Sequence, residues 1–433
     1  MKKRLLLISY NFSPEPTGIG KYNGEMISWF VAKGYDCTVV TSYPYYPYWK
    51  VQASYKKRFW YSVEESVDSK SGGSLKVYRC PQYVPAKPSA FTRIVLDLSF
   101  FLSAAIPLLR LLIFKKIDFV MTVAPSFQIG LVGILFRKFN GSKFLYHIQD
   151  LQIEAARDLK MIKSQKVMSL LFRVERYILN KCDVISTISP GMVKKVKSKT
   201  TKDVLLFSNW TDVNSFYPIE DKRKLRHKFS YMPTDKIVMY SGAIGEKQGL
   251  DSVLAVADQL RSFPDLKFII CGSGPYQKEL ENLAEQLKLQ NVNFMPLQAH
   301  SEFNDFLNLA DVHLVIQKAS ASDLVMPSKL TTILAVGGLA IITANPGSGL
   351  HSLVREHSVG VLVDAENTKN LKECILKAVN NDFREMNKNA RRYAEDYLSA
   401  DKVLLSYERH IQKADADYEL NDKIASLSVV SQS

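Results

Sequence analysis

Short runs of consecutive apolar residues alternate along the whole chain with longer stretches whose apolar positions recur at helical spacing. The runs fall at 5–9, 36–41, 75–80, 119–124, 143–150, 183–189 and 204–209, and then at 237–242, 266–272, 292–297, 312–317 and 339–343. A strand that is apolar on successive residues is buried on both faces, as in a parallel sheet covered by helices on each side. Helix-length segments separate the runs, which is what a βαβ series requires. The polar stretch 209–236, punctuated by Pro218 and Pro233, divides the series in two. The pattern predicts an α/β chain of two doubly wound, Rossmann-like domains, 1–215 and 216–400. Residues 401–433 follow as a helix with a frayed end.

Open parallel sheets bind ligands beyond the carboxyl ends of their strands, so the loops there are where chemistry is expected. The first is "YNFSPEPTGIGKYNGEMISWF", in which Gly18, Ile19 and Gly20 lead into a helix. Glycine lets a ligand approach the backbone, and free N–H groups at a helix start suit a phosphate; a plain surface turn explains the same residues. In "YSGAIGEKQGL" a lysine, Lys247, stands among Gly242, Gly245 and Gly249, as in a diphosphate clamp. "ICGSGPYQKEL" places Gly272 and Gly274 after a strand, with Pro275 expected to start a helix. In "MPSKLTTILAVGG", Ser328 is expected to cap a short helix that carries Lys329. "KFLYHIQDLQIEAARDL" brings His147 and Asp150 to a strand end, where a general base or an anchor for a substrate hydroxyl would sit; a core histidine is the bland reading of His147. "SYPYYPYWKVQASYKKRFWY" is rich in aromatics, with Lys50, Lys56, Lys57 and Arg58 interleaved. Aromatic faces stack on sugars or bases, although a loop packed on its own domain would look the same.

The net charge of +14 is uneven. Residues 1–218 hold 32 Lys/Arg against 15 Asp/Glu, whereas residues 219–433 hold 25 against 28. An anionic partner is therefore expected for the first half: a phospholipid surface, a pyrophosphate-linked substrate or nucleic acid. The apolar stretch 98–114 carries Pro107 and Arg110 and is shorter than a spanning helix. It reads first as a buried helix and second as a helix lying in a membrane interface. Cys37, Cys80, Cys182, Cys271 and Cys374 are scattered and form no C-x-x-C pair, which points away from zinc and disulfide frameworks. The single Asp-x-Asp, Asp415–Asp417, lies far from any strand end, so no metal is expected.

With "SPEPTGIGKYNGEM", "YPYYPYWKV", "VYRCPQYVP", "HIQD", "STIS", "FSNW", "YSGAIGEKQGL", "MPSKLTTILAVGG" and "IITA" assembled, the chain resembles the GT-B retaining glycosyltransferases of family 4. Within that family it is similar to the colanic-acid-type fucosyltransferase group. The resemblance implies two Rossmann-like domains facing a cleft and a last helix crossing back to the first domain. It implies a nucleotide diphospho-sugar held mainly by the second domain through Gly242, Gly245, Lys247, Leu297, Gln298, Ser328, Lys329, Leu330 and Thr332. Gly18, Ile19 and Gly20 would close over the phosphates, and Asp150 or His147 would stand near the sugar. Tyr45, Tyr46 and Trp49 would lie on the acceptor side, with a lipid-linked saccharide as acceptor. The implied setting is the inner face of the cytoplasmic membrane, with no nucleic acid as partner and no cofactor or metal. Two positions depart from the family: Ala243 stands for an arginine, and Thr332 for the second Glu of a Glu-x7-Glu pattern whose first Glu falls at Leu324, beside Asp323. Those departures keep open a non-catalytic partner in polysaccharide assembly, and the shared fold keeps open a nucleotide-sugar epimerase.

Overall fold

The computed structural model describes residues 2–56, 60–158, 162, 164–319 and 327–413. Lys57, Arg58, Asp323, Leu324, the Asp415–Asp417 pair and the polar end lie outside the described residues. The chain divides into two compact units, Met1–Phe207 with Leu404–Ser433, and Ser208–Val403. The second unit thus begins eight residues before the expected boundary. The reason is local: Thr211 bridges Ser399, and the buried side of Arg391 donates to the carbonyls of Val213 and Phe216 at 3.0 and 2.7 Å.

In the first unit the chain runs β1 (Arg4–Ile8), α1 (Gly18–Ala32), β2 (Asp36–Ser42), β3 (Ser62–Val67), β4 (Ser74–Cys80) and α2 (Ala90–Phe114). It continues as β5 (Phe119–Ala124), α3 (Ile129–Asn140), β6 (Lys143–Ile148), α4 (Gln152–Asp158), α5 (Gln165–Lys181), β7 (Val184–Thr187), α6 (Pro190–Lys197) and β8 (Val204–Leu206). The sheet order is β3-β4-β2-β1-β5-β6-β7-β8, parallel throughout except for β3 against β4. β1, β5 and β6 are buried almost end to end, as their unbroken apolar runs require. β3 has no such run because it is an edge strand, and Glu65 on it pairs with Lys76. Helix starts are set by side chains that accept from backbone N–H groups: Ser89 from Thr92, Ser164 from Val167, and Ser189 from Met192, with Pro190 as first residue.

The second unit runs α7 (Lys222–Lys228), β9 (Lys236–Ala243), α8 (Asp251–Gln259), β10 (Leu266–Ser273), α9 (Gln277–Gln286), β11 (Val292–Met295) and α10 (His300–Leu309). It continues as β12 (Val312–Val315), α11 (Ser328–Ala335), β13 (Ala340–Thr343), α12 (Gly349–His357), β14 (Val361–Val363), α13 (Thr368–Asn380) and α14 (Arg384–Tyr393). Its sheet, β11-β10-β9-β12-β13-β14, is wholly parallel. Two expectations need correction here. α9 starts after Pro275, at Gln277, and Ser328 is the first helical residue of α11 while Pro327 occupies the cap.

A last helix, residues 400–413, packs on the first unit from Leu404 onward. Leu404, Tyr407 and Ile411 are buried in it. The Tyr407 ring stacks on Phe207 at 3.9 Å and 8°, and Tyr35 donates to Glu408 at 2.8 Å. Truncating a buried aromatic side chain costs about 3–5 kcal/mol. Tyr407→Ala should therefore lower the first unit's unfolding free energy by that order, read as a lowered urea midpoint at unchanged slope. An unchanged midpoint would show that the returning helix is dispensable to this unit.

Candidate functional site

In the first unit, the strand order reverses between β1 and β5, so the loop after β1 lies at the switch point where open sheets bind ligands. Glu15, between its two prolines, turns inward and is 3% exposed. Its Oε1 accepts from the N–H groups of Tyr45 and Tyr46 at 3.1 and 3.0 Å, and its Oε2 accepts from Asn11 Nδ2 at 2.8 Å. One carboxylate thus ties the loop after β1 to the loop after β2. Arg79 of β4, equally buried, fastens the same two loops by donating to the carbonyls of Ser13 and Ser42 at 2.6 and 3.3 Å. It also pairs with Glu64 at 3.2 Å. A Cβ on Gly20 would collide with Glu15, and one on Gly24 would lie 2.6 Å from Ser13 Cβ. These glycines let α1 seat against the loop. Gly18 has a φ of 63°, where an L side chain is strained.

Around this loop stand two groups that the sequence reading did not single out, Tyr10 and Asp97. Tyr10 lies in the field of Asp97, Asp150 and Glu15. Asp97, on the inner face of α2, accepts from Gln152 Nε2 at 2.9 Å. Burial pushes its carboxyl up to about 6. Burial likewise raises Glu15 to about 7, against the opposing pull of the two backbone N–H groups, Asn11 and Arg79. Asp150 is exposed just past β6. Trp49 has a φ of 51°, a left-handed backbone that a bulky residue keeps only when its surroundings enforce it. Here the enforcers are Tyr45 at 5.7 Å, Tyr46 at 6.4 Å and the Arg93 guanidinium at 5.3 Å.

Two residues of the expected constellation are core residues. His147 is 2% exposed, its Nδ1 lies 3.0 Å from Ser186 Oγ, and its ring packs on Phe207. Burial drops its imidazole to about 3, so it stays neutral and packs behind Ser186 and Phe207, the two residues that meet Tyr407 of the returning helix. Tyr45 is also buried and offers no open face for stacking, whereas Tyr46 and Trp49 are half-buried.

In the second unit the switch point lies between β9 and β12. Gly242, the last residue but one of β9, has a φ of 150°. A Cβ there would lie 3.0 Å from Lys329 Cε, so Gly242 makes the room in which the Lys329 side chain lies. The Lys329 ammonium sits 3.6 Å above the centre of the Tyr240 ring, and Tyr240 donates to the Ala243 carbonyl at 2.6 Å. Burial lowers the Lys329 ammonium to about 7. Lys247 is exposed on a single helical turn, Glu246–Gln248, closed by Gly249 at a φ of 64°. Its backbone carbonyl accepts from Lys318 N–H at 2.9 Å, and its ammonium has no ion pair among the described residues.

Gly245 N–H donates to Gln248 Oε1 at 3.1 Å, an internal turn contact. A Cβ on Gly272 or Gly274 would collide with the carbonyls of Gly242 and Ile244, so these two glycines serve the close approach of the β9 and β10 ends. Leu297 and Gln298 follow β11, with Leu297 exposed and the Gln298 amide donating to the Pro296 carbonyl at 2.8 Å. Leu330 is fully buried in the core, which corrects its assignment to a ligand face. Thr332 is buried too, and its hydroxyl donates to the Lys329 carbonyl at 3.0 Å, so it holds α11 together.

Two doubly wound units with their loops at the carboxyl ends of parallel strands are the architecture of the GT-B glycosyltransferases. Residues 17–204 match the family described as glycosyl transferase 4-like domain, and residues 221–397 match glycosyl transferases group 1. The chain is 38% identical, over 93% of its length and 98% of the relative's, to a protein of Escherichia coli strain K12 assigned to colanic acid biosynthesis as glycosyl transferase WcaI. The chain belongs to this glycosyltransferase family and is a transferase. The fold is shared with sucrose-phosphate synthase from Thermosynechococcus elongatus, at a TM-score of 0.67 and 18% identity over 96% of this chain and 100% of that one. It is also shared with Anabaena Alr3699/HepE in complex with UDP, at 0.65 and 15% over 95% and 100%.

The raised carboxyls give a signed pH dependence. A carboxyl whose folded value exceeds its unfolded value contributes stability that is full below the unfolded value and is lost as pH rises through the folded one. For Glu15 the window runs from 4.5 to about 7. Wild type should lose more melting temperature between pH 5 and pH 7.5 than Glu15→Gln does. Parallel curves would mean that Glu15 titrates as an exposed carboxylate.

Proposed function

We propose that this transferase moves a sugar from a nucleotide diphospho-sugar to a hydroxyl of a lipid-linked saccharide in cell-surface polysaccharide synthesis, with retained configuration and without a metal. The E. coli relative assigned to colanic acid biosynthesis supports the polysaccharide setting, and the UDP complex of HepE supports a nucleotide donor. The uneven charge of the chain supports an acceptor presented at an anionic membrane surface, on the inner face of the cytoplasmic membrane.

The observation that carries the donor assignment is the Lys329 ammonium beside Gly242, at the switch point of the second sheet. Breaking the bond from sugar carbon to phosphate oxygen leaves the bonding electrons on the departing diphosphate. A half-buried cation stabilises that developing charge more strongly than an exposed one, because less solvent screens it. Lys329 is part-neutral near pH 7 when the site is empty, and a diphosphate beside it favours the charged form, so binding takes up a proton. Lys247 adds an exposed cation on the neighbouring turn, where it can close on the phosphates. In the first unit, Asp150 orients the acceptor hydroxyl, and Tyr46 and Trp49 offer the half-buried faces for its sugars. The N–H groups at Gly18, Ile19 and Gly20 are a further anion-facing element of this reading.

Two measurements test it. Lys247→Ala and Lys329→Met should each lower sugar transfer by about a hundredfold to a thousandfold, the range seen when one preorganised charge-stabilising group is removed. Rates near wild type for both would overturn the donor assignment. Nucleotide affinity should also fall as pH rises above about 7. Calorimetry at pH 8 in buffers of different ionisation enthalpy should show proton uptake that Lys329→Met abolishes. Uptake unchanged in that variant would place the proton elsewhere.

A further inference from the structure

The sequence favours a buried helix at 98–114. The structure shows instead a 25-residue helix, α2, with two apolar faces, only one of which is covered among the described residues. Leu96, Phe100, Ala104, Leu108 and Leu111 are 0 to 4% exposed and seat α2 in the core of the first unit. On the opposite side Ile94, Leu98, Leu102, Ile106, Leu109 and Ile113 are 53 to 65% exposed. At about 100° per residue these six fall within an arc of roughly 120°. Neighbouring α3 extends the surface with Leu135 and Phe139, 45% and 65% exposed. The two helix ends are pinned together, because Asn140 Nδ2 donates to the Lys115 carbonyl at 2.6 Å. Phe91–Phe114 is apolar enough to cross a membrane, with a mean hydropathy of 1.9, but a helix with one face seated in a domain core is not free to span.

We infer that this stripe is the surface by which the protein lies on an anionic phospholipid bilayer, with α2 in the plane of the interface. A contiguous exposed apolar surface marks an interaction site, and the charge around this one selects the occupant. Arg110, Lys115, Lys116 and Lys138 rim it, all exposed, and neither 98–117 nor 129–141 contains an Asp or Glu. Anionic headgroups complement that rim, whereas a second copy of the same surface would set cation against cation with no acid to pair.

The inner face of the same helix leads to the acceptor side. Arg93 lies over Trp49, Asp97 holds Gln152, and the Ser103 carbonyl accepts from Tyr61 at 2.9 Å. α2 thus joins the lipid surface to the residues assigned to the acceptor. The inference rests on the lipid-linked acceptor reading above and names the surface that would deliver such an acceptor.

The test is co-sedimentation of the full chain with phosphatidylcholine vesicles, with and without about 30 mol% phosphatidylglycerol. Wild type should partition to the anionic vesicles and release in high salt. Leu102→Glu with Ile106→Glu should reduce partitioning at least tenfold, with circular dichroism and nucleotide binding unchanged. A separate Ile106→Trp variant should show quenching by brominated lipid chains. Equal partitioning of wild type and the double variant, no quenching, or no partitioning by wild type overturns the inference. So does a dimer that the double variant converts to monomer, which would assign the stripe to a second copy. Donor turnover measured in detergent reports separately on the transferase reading. Turnover without vesicle binding overturns only the membrane surface, and vesicle binding without turnover overturns only the proposed reaction.

Discussion

Parallel strand pairing is the constraint from which the rest of this molecule follows. Apart from β3, every strand in both sheets runs parallel to its neighbours, so the chain must return across a face between strands, and each parallel strand delivers its loop to the carboxyl edge of its own sheet. That edge is crowded. The ends of β9 and β10 approach so closely that Gly272 and Gly274 have no room for a side chain, and Gly242 gives its space to Lys329. The glycines that first suggest a phosphate cradle are thus mostly explained by backbone meeting backbone. What they leave behind is a lysine held over a tyrosine ring at the switch point of the sheet, the group on which the proposed donor site rests.

The first unit meets the same crowding with charge. Glu15 and Arg79 are both buried, and each binds the loop after β1 to the loop after β2. Neither is free to relax into solvent, because each satisfies backbone groups that would otherwise be orphaned. Trp49 keeps its left-handed backbone within this frame. The half-buried aromatics Tyr46 and Trp49 are therefore positioned by polar contacts beneath them, and the exposed stripe of α2 lies on the outer face of the helix that carries Arg93 and Asp97.

Much of the fold was legible because a strand buried on both faces is apolar on consecutive residues. β1, β5, β6, β9 and β10 all read that way, and β3 did not because an edge strand keeps polar side chains. Strand-end placement was legible too, which is why Lys247, Lys329 and Asp150 could be named. Which way a side chain turns was not. His147 sits three residues before Asp150 and Leu330 directly after Lys329, yet both point into the core, and periodicity in an all-apolar strand or short helix carries no sign of face. Glu15 was missed because an acid between two prolines reads as a surface turn, when its carboxylate in fact serves three N–H donors. α2 was misjudged for a related reason. A helix apolar on every side reads as enclosed, and only the packing shows that one side is left uncovered among the described residues.

The central claim is that the second unit binds a nucleotide diphosphate through Lys329 and Lys247. Calorimetric titration of the full chain with UDP, GDP and ADP in the presence of a chelator tests it most directly. The account predicts saturable binding of one base in preference to the others, weakened by loss of either lysine. No binding of any of the three, or binding indifferent to both lysines, would contradict it.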